Sequence, residues 1–153
     1  MEKLDRKVLK LWIGLSIVSG LIIGGVVSFG VYYFSNSQTL ALLTFTLIFL
    51  LDIIYPYYRY KNWFFEVHND HLEIMHGVLF KTSAVIPFVR VQHIDTDRGP
   101  IERILGLATL NVYTAGSMGS DMMIPGLSRS RAEEMQEELK EKAIQSEKGF
   151  DAV

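Results

Sequence analysis

The sequence predicts an α+β membrane protein: an N-terminal hairpin of two transmembrane helices, then a small domain of strands closed by a C-terminal helix. Three observations carry this reading. Two long uncharged runs open the chain, apolar residues alternate with polar ones from Trp63 onward, and a three-and-four apolar spacing ends it.

The charge distribution agrees. The 153 residues carry a formal net charge of -2 and a mean hydropathy of +0.21. Residues 11–34 hold no charge, and Asp52 is the only charged residue in 35–58. The chain has no cysteine, which excludes disulfides and thiolate chemistry and fits a reducing compartment. From Arg59 onward 11 Lys and Arg face 14 Asp and Glu. A nucleic-acid binder carries a basic face, so no nucleic-acid partner is expected.

The first run, residues 12–34, would make a helix of about 34 Å, enough to cross a hydrocarbon core of ~30 Å. Residues 40–58 supply a second span of about 28 Å. The first run is too long for a cleaved signal peptide, and the VYYF before Ser35 is no small-residue cleavage site, so it reads as retained. Aromatic residues mark both ends of the spans, and Pro56 is expected to end or kink the second near Tyr55. The connector of residues 35–39 is short, which makes the helices antiparallel neighbours. Lys3, Arg6, Lys7 and Lys10 precede the first span, and Arg59 and Lys61 follow the second. The positive-inside rule then gives a multi-pass protein of the cell membrane with both termini cytoplasmic.

The expected division is a cytoplasmic N-terminal segment (1–10), the hairpin (11–60), a domain (61–146) and a flexible tail (147–153). Trp12, Asp52, Tyr58, Trp63 and Phe64 are the expected contacts with the lipid bilayer. Ser16, Gly20, Gly24 and Ser28 recur every four residues and form a smooth helix-packing stripe. Packing within the hairpin and self-association use the same physics, and both readings stand. A carboxylate at a helix centre costs roughly 2.5–3.5 kcal/mol. Asp52 lies near the end of its span, where headgroups, water or a basic partner would lower that cost.

After the membrane, Trp63, Phe65 and Val67 alternate with Phe64, Glu66 and His68, and Asn69-Asp70 makes a turn into Leu72 and Ile74. Further strands are expected at residues 83–87, from Val89 through Ile94 with a bulge near Gln92-His93, at 110–115, and at 122–124. Residues 99–106 (GPIERILG) read as a single turn of helix whose Ile101, Ile104 and Leu105 plug one end of the sheet. The last helix begins near Ser128, with Ser130 and Glu133 as a capping box, and buries Ala132, Met135, Leu139 and Ala143.

The run IPFVRVQHIDTDRGPIERILGLATLNVYTAG, then MIPGL, resembles the YdbS-like membrane proteins, which carry a bacterial pleckstrin-homology domain of the second type. Matching positions include Ile86, Pro87, Arg90 to Gln92, Gly99, Pro100, Arg103, Val112 and Ile124 to Leu127. The resemblance implies a split, pleckstrin-like barrel after two spans, and it brings no catalytic residues with it.

No phosphate loop, nucleotide fingerprint or HExxH motif is present, so no enzyme, cofactor or small-molecule substrate is expected. His68, His71 and His76 cluster around one hairpin, but spacings of three and five match no standard metal site. They and His93 read as sheet-surface histidines. Arg90, Arg98 and Arg103 are the candidate binding cations, with Arg103 expected to cap carbonyls or pair with Asp95 or Asp97. Met118, Met122 and Met123 could offer an adaptable apolar contact. The expected function is a membrane-tethered, non-enzymatic adaptor that binds protein, either copies of itself or a paralogue. A lipid-binding module of the inner leaflet and an accessory subunit of a transporter or secretion complex are the alternatives.

Overall fold

The structure, a computed structural model, describes residues 1–115 and 122–150. The chain forms two compact units, Leu9–Lys61 and Met1–Val8 with Asn62–Val153.

The first unit is a helical hairpin. Helix α1 spans Arg6–Ser35 and α2 spans Gln38–Lys61, both long and apolar enough to cross a membrane. The connector is shorter than expected: Asn36, in the left-handed region at φ 50°, and Ser37 reverse the chain. The small-residue stripe lies against α2. A Cβ on Gly20 would come within 3.0 Å of the Phe49 ring, and one on Gly24 within 3.2 Å of the Phe45 ring. Ser28 Oγ donates to the Ala41 carbonyl at 2.6 Å. Helix α2 runs through Pro56 to Lys61, so the break expected near Tyr55 does not occur. Pro56 is buried within this unit.

The second unit holds two three-stranded antiparallel sheets and a C-terminal helix. Sheet one has the order β1 (Phe64–Val67), β2 (His71–His76), β3 (Thr82–Pro87). A 3-10 turn at Phe88–Arg90 leads into β4 (Val91–Asp97), which pairs with β5 (Leu107–Thr114), itself paired with β6 (Met122–Ser128). This two-sheet arrangement is consistent with a pleckstrin-like domain. The bulge expected near Gln92-His93 is present as a register shift between Val91 and His93, and a second shift lies between Ala108 and Leu110. Strand alternation puts Trp63, Phe65, Leu72 and Ile74 into the core, where Leu107, Leu110, Val112 and Ile124 join them.

Helix α4 (Arg129–Phe150) buries Ala132, Met135 and Leu139 as its spacing predicts, whereas Ala143, expected with them, is only part-buried; the helix contacts β4, β5, β6 and the 3-10 turn. Its first turn is capped by Ser128, whose Oγ accepts from the Arg131 amide at 3.3 Å, so the cap lies two residues before the expected Ser130. The helix continues to Phe150, through residues expected to form a tail. The short α3 (Pro100–Leu105) has Ile104 83% exposed and Ile101 half exposed. Neither residue plugs the sheet; a six-residue helix held against β5 has too little surface to bury both faces.

Residues Met1–Val8 pack with the domain rather than standing as a separate segment. Glu2 bridges to Phe65 through two backbone hydrogen bonds of 2.7 and 3.1 Å, and the Asp5 amide donates to the Gly126 carbonyl at 2.9 Å. Leu4 and Val8, four residues apart, are both buried. Arg131 grips the Glu2 carboxylate with two nitrogens at 2.6 and 3.0 Å, and that carboxylate holds the guanidinium above its ordinary pKa.

Candidate functional site

Strand β4 lies at the edge of its sheet, and α4 covers only part of it. Near the middle of β4, Gln136 Nε2 donates to the Ile94 carbonyl at 2.9 Å, while its Oε1 accepts from Thr96 Oγ1 at 3.1 Å. That side chain satisfies edge groups that would otherwise face solvent. Toward the start of β4 a groove of about 610 Å³ opens between strand and helix. Phe88, Val89 and Val91 line one wall and Ala143 and Ile144 the other, with Arg90 and Lys140 as cations and Glu147 near the helix end. Val89 and Ile144 are large apolar side chains left half exposed there.

Arg90 also borders a smaller hollow of about 190 Å³ with Ile86, Pro87, Thr114 and Met122. Two of the sequence-derived candidates, Arg90 and Met122, therefore line one hollow. Met122 and Met123 lie in β6, opposite Val112 and Asn111, and Met123 is 50% exposed. Met118 lies outside the described residues.

The other two arginines are elsewhere. Arg98 reaches the Leu107 carbonyl through Nε at 3.4 Å. Arg103 is exposed on α3 and does not make the expected pairing, because both aspartates are engaged. Asp97 accepts from Asn111 Nδ2 at 2.7 Å, and Asp95 pairs with His93 Nε2 at 2.8 Å. The carbonyl-capping role expected of Arg103 is met by backbone, as the Gly106 amide donates to the Arg103 carbonyl. Glu102 anchors this turn instead, accepting from the Gly99 amide at 2.8 Å and from Thr109 Oγ1 at 2.9 Å.

Among the expected bilayer contacts, Trp63 is 7% exposed and stacks on His76 at 4.7 Å. It is a core residue, preceding β1 and buried as Phe65 is. Phe64 lies under the Lys3 ammonium at 5.2 Å. The most exposed large apolar residues of this unit, among the described residues, are instead Leu79 and Phe80, 88% and 87% exposed, at the β2–β3 turn. Within the hairpin, Tyr58 is exposed and Asp52 Oδ2 accepts from Ser19 Oγ at 2.6 Å. Asp52, Ser16, Ser19, Trp12 and Arg59 border a hollow of about 510 Å³, where the Arg59 guanidinium lies 4.2 Å over the Trp12 ring.

Comparison with known proteins agrees with this architecture. The family model described as "Bacterial PH domain" matches residues 13–143. The curated UPF0699 transmembrane protein YdbS of Bacillus subtilis (strain 168) is 36% identical over 86 residues, 56% of this chain and 52% of the relative. The chain thus spans about half the length of that relative. No solved structure matches this chain.

Proposed function

The chain belongs to the bacterial PH domain family and is a membrane-anchored module; on that premise we propose that it is a non-enzymatic adaptor that assembles proteins at the cytoplasmic face. In this reading the two helices cross the cell membrane as a hairpin, both termini are cytoplasmic, and the domain captures a segment of another protein, a second copy of this chain or a paralogue.

The groove between β4 and α4 is the observation that carries the proposal. It combines a long open trough, half-exposed Val89 and Ile144, and the Arg90 and Lys140 cations. The bulge at Val91/His93 twists the edge away from regular strand addition. The occupant that suits it is therefore a segment that inserts apolar side chains and presents an acidic group to Arg90. Native mass spectrometry on protein extracted from its own membrane in mild detergent tests this. A stoichiometric second chain, lost in Arg90→Glu, is the expected result; a monomer carrying only lipid would contradict it.

The exposed Leu79-Phe80 tip, followed by Lys81, favours a second reading, contact with the inner leaflet. The first hairpin does not support headgroup capture, since its turn is Asn69-Asp70 flanked by Glu66 and Glu73. If the tip alone contacts lipid, Leu79→Ser with Phe80→Ser lowers labelling by a photoactivatable lipid probe; unchanged labelling removes this reading.

A further inference from the structure

The outer face of the β1–β2 hairpin carries a second cluster, which shares no residue with the groove. The register places Glu66 opposite Glu73, and the His68 amide donates to the His71 carbonyl at 2.9 Å to close the turn. Phe65, Leu72 and Ile74 point into the core, so Glu66, His68, His71 and Glu73 share the other face. Two carboxylates directly opposed across a strand pair repel each other, and a cation between them would reverse the sign.

The side chains converge on such a point. Glu66 turns Oε1 to the Met1 amino group at 3.2 Å, and Glu73 Oε1 accepts from Ser83 Oγ at 3.0 Å. Their remaining oxygens both face His68 Nε2, at 3.9 and 3.8 Å. Those separations are too long for hydrogen bonds, and this buried nitrogen has no hydrogen-bond partner among the described residues. The His71 ring stacks on His68 with centroids 4.4 Å apart. Its Nδ1 lies 2.6 Å from Asp70 Oδ1. A carboxylate held against one ring nitrogen orients a ligand imidazole so that the other can face the metal.

We propose that this hairpin binds a divalent transition-metal ion of the zinc class through His68, His71 and Glu73, with Glu66 as a fourth donor and Asp70 orienting His71. One donor atom from each of His68, His71 and Glu73 already lies within 4.8 Å of the others. Imidazole with carboxylate suits zinc and its neighbours better than magnesium or calcium. Donors bound to zinc at roughly 2.0–2.2 Å stand about 3.4 Å apart, so His68 Nε2 and the two glutamate oxygens need to close by about half an ångström, and the His71 ring must turn out of its stack on His68 for both imidazoles to aim at one ion. His76 and His93 lie outside the set, the first stacked on Trp63 and the second paired with Asp95.

The test uses the full chain in detergent micelles, stripped with chelator and titrated with Zn²⁺ against a chromogenic competitor. One equivalent is expected to bind. His68→Asn and His71→Asn should each weaken binding at least tenfold, Asp70→Asn by about tenfold, and His93→Asn not at all. Zn²⁺ should also raise the Tm of the native chain and leave that of the His68→Asn, His71→Asn double variant unchanged. These side chains are partly exposed on an outer face, so far-ultraviolet circular dichroism should show the variants folded. Native-chain binding no tighter than that of the double variant, or binding lost only with His93→Asn, would overturn the proposal.

Discussion

Val8 occupies the space that Gly126 leaves by having no side chain: a Cβ there would lie 2.3 Å from Val8 Cγ2 and 2.4 Å from Val8 Cβ. Gly126 also sits in the left-handed region at φ +65°. Gly126→Ala therefore meets two penalties, about 1–2 kcal/mol for the backbone and about 1–3 kcal/mol for overpacking. Thermal unfolding of the full chain in detergent should show a loss of roughly 2–5 kcal/mol.

The N-terminal segment acts as part of the domain core. Leu4→Ala should cost about 2–4 kcal/mol through the cavity it leaves, whereas Glu2→Ala removes a half-exposed pair with Arg131 and should cost ~1 kcal/mol or less. A fragment beginning at Asn62 should unfold at a lower temperature than one supplemented with a peptide of residues 1–8. Equal unfolding temperatures would mean that the segment contributes nothing.

Glu102 is the chief side-chain anchor of α3. Glu102→Ala removes its hydrogen bonds to the Gly99 amide and to Thr109, and about 1–2 kcal/mol of stability should go with them. Ile104→Ser, on the exposed side of the same helix, should change stability by less than ~0.5 kcal/mol. Urea unfolding of the two variants side by side checks the contrast.

In the hairpin, Gly24 lies against the Phe45 ring with no room for a longer side chain. Gly24→Leu should separate the helices, while Gly25→Leu, with open space at its Cβ, should not. The native chain has no cysteine, so dye pairs placed through introduced cysteines on α1 and α2 can report this by energy transfer.

Much of this architecture was legible because period and burial agree. The two apolar runs became α1 and α2, the Trp63–Val67 alternation became β1, and the Ala132, Met135, Leu139 face became the packed side of α4. The N-terminal segment was not legible, since Leu4 and Val8 carry a one-turn signal interrupted by Lys3, Arg6 and Lys7. Strand β6 was read short because Pro125 and Gly126 suggest an ending; an edge strand tolerates a proline whose missing amide faces away from its neighbour. The β4–α4 groove was equally hidden, because only tertiary packing brings Ala143 and Ile144 near Arg90. The histidine cluster escaped a search by spacing because its register runs across a turn, where Glu66 and Glu73 are neighbours only once the strands pair.

The adaptor account rests most directly on occupancy of the β4–α4 groove in the living membrane. A photo-cross-linking residue placed at Ile144 samples the groove wall, and one at Glu133, exposed near the start of α4, serves as the control. The account predicts discrete protein adducts from position 144 that weaken at least tenfold with Arg90→Glu and are missing from position 133. Adducts to lipid alone, or equal protein labelling from both positions, would contradict it.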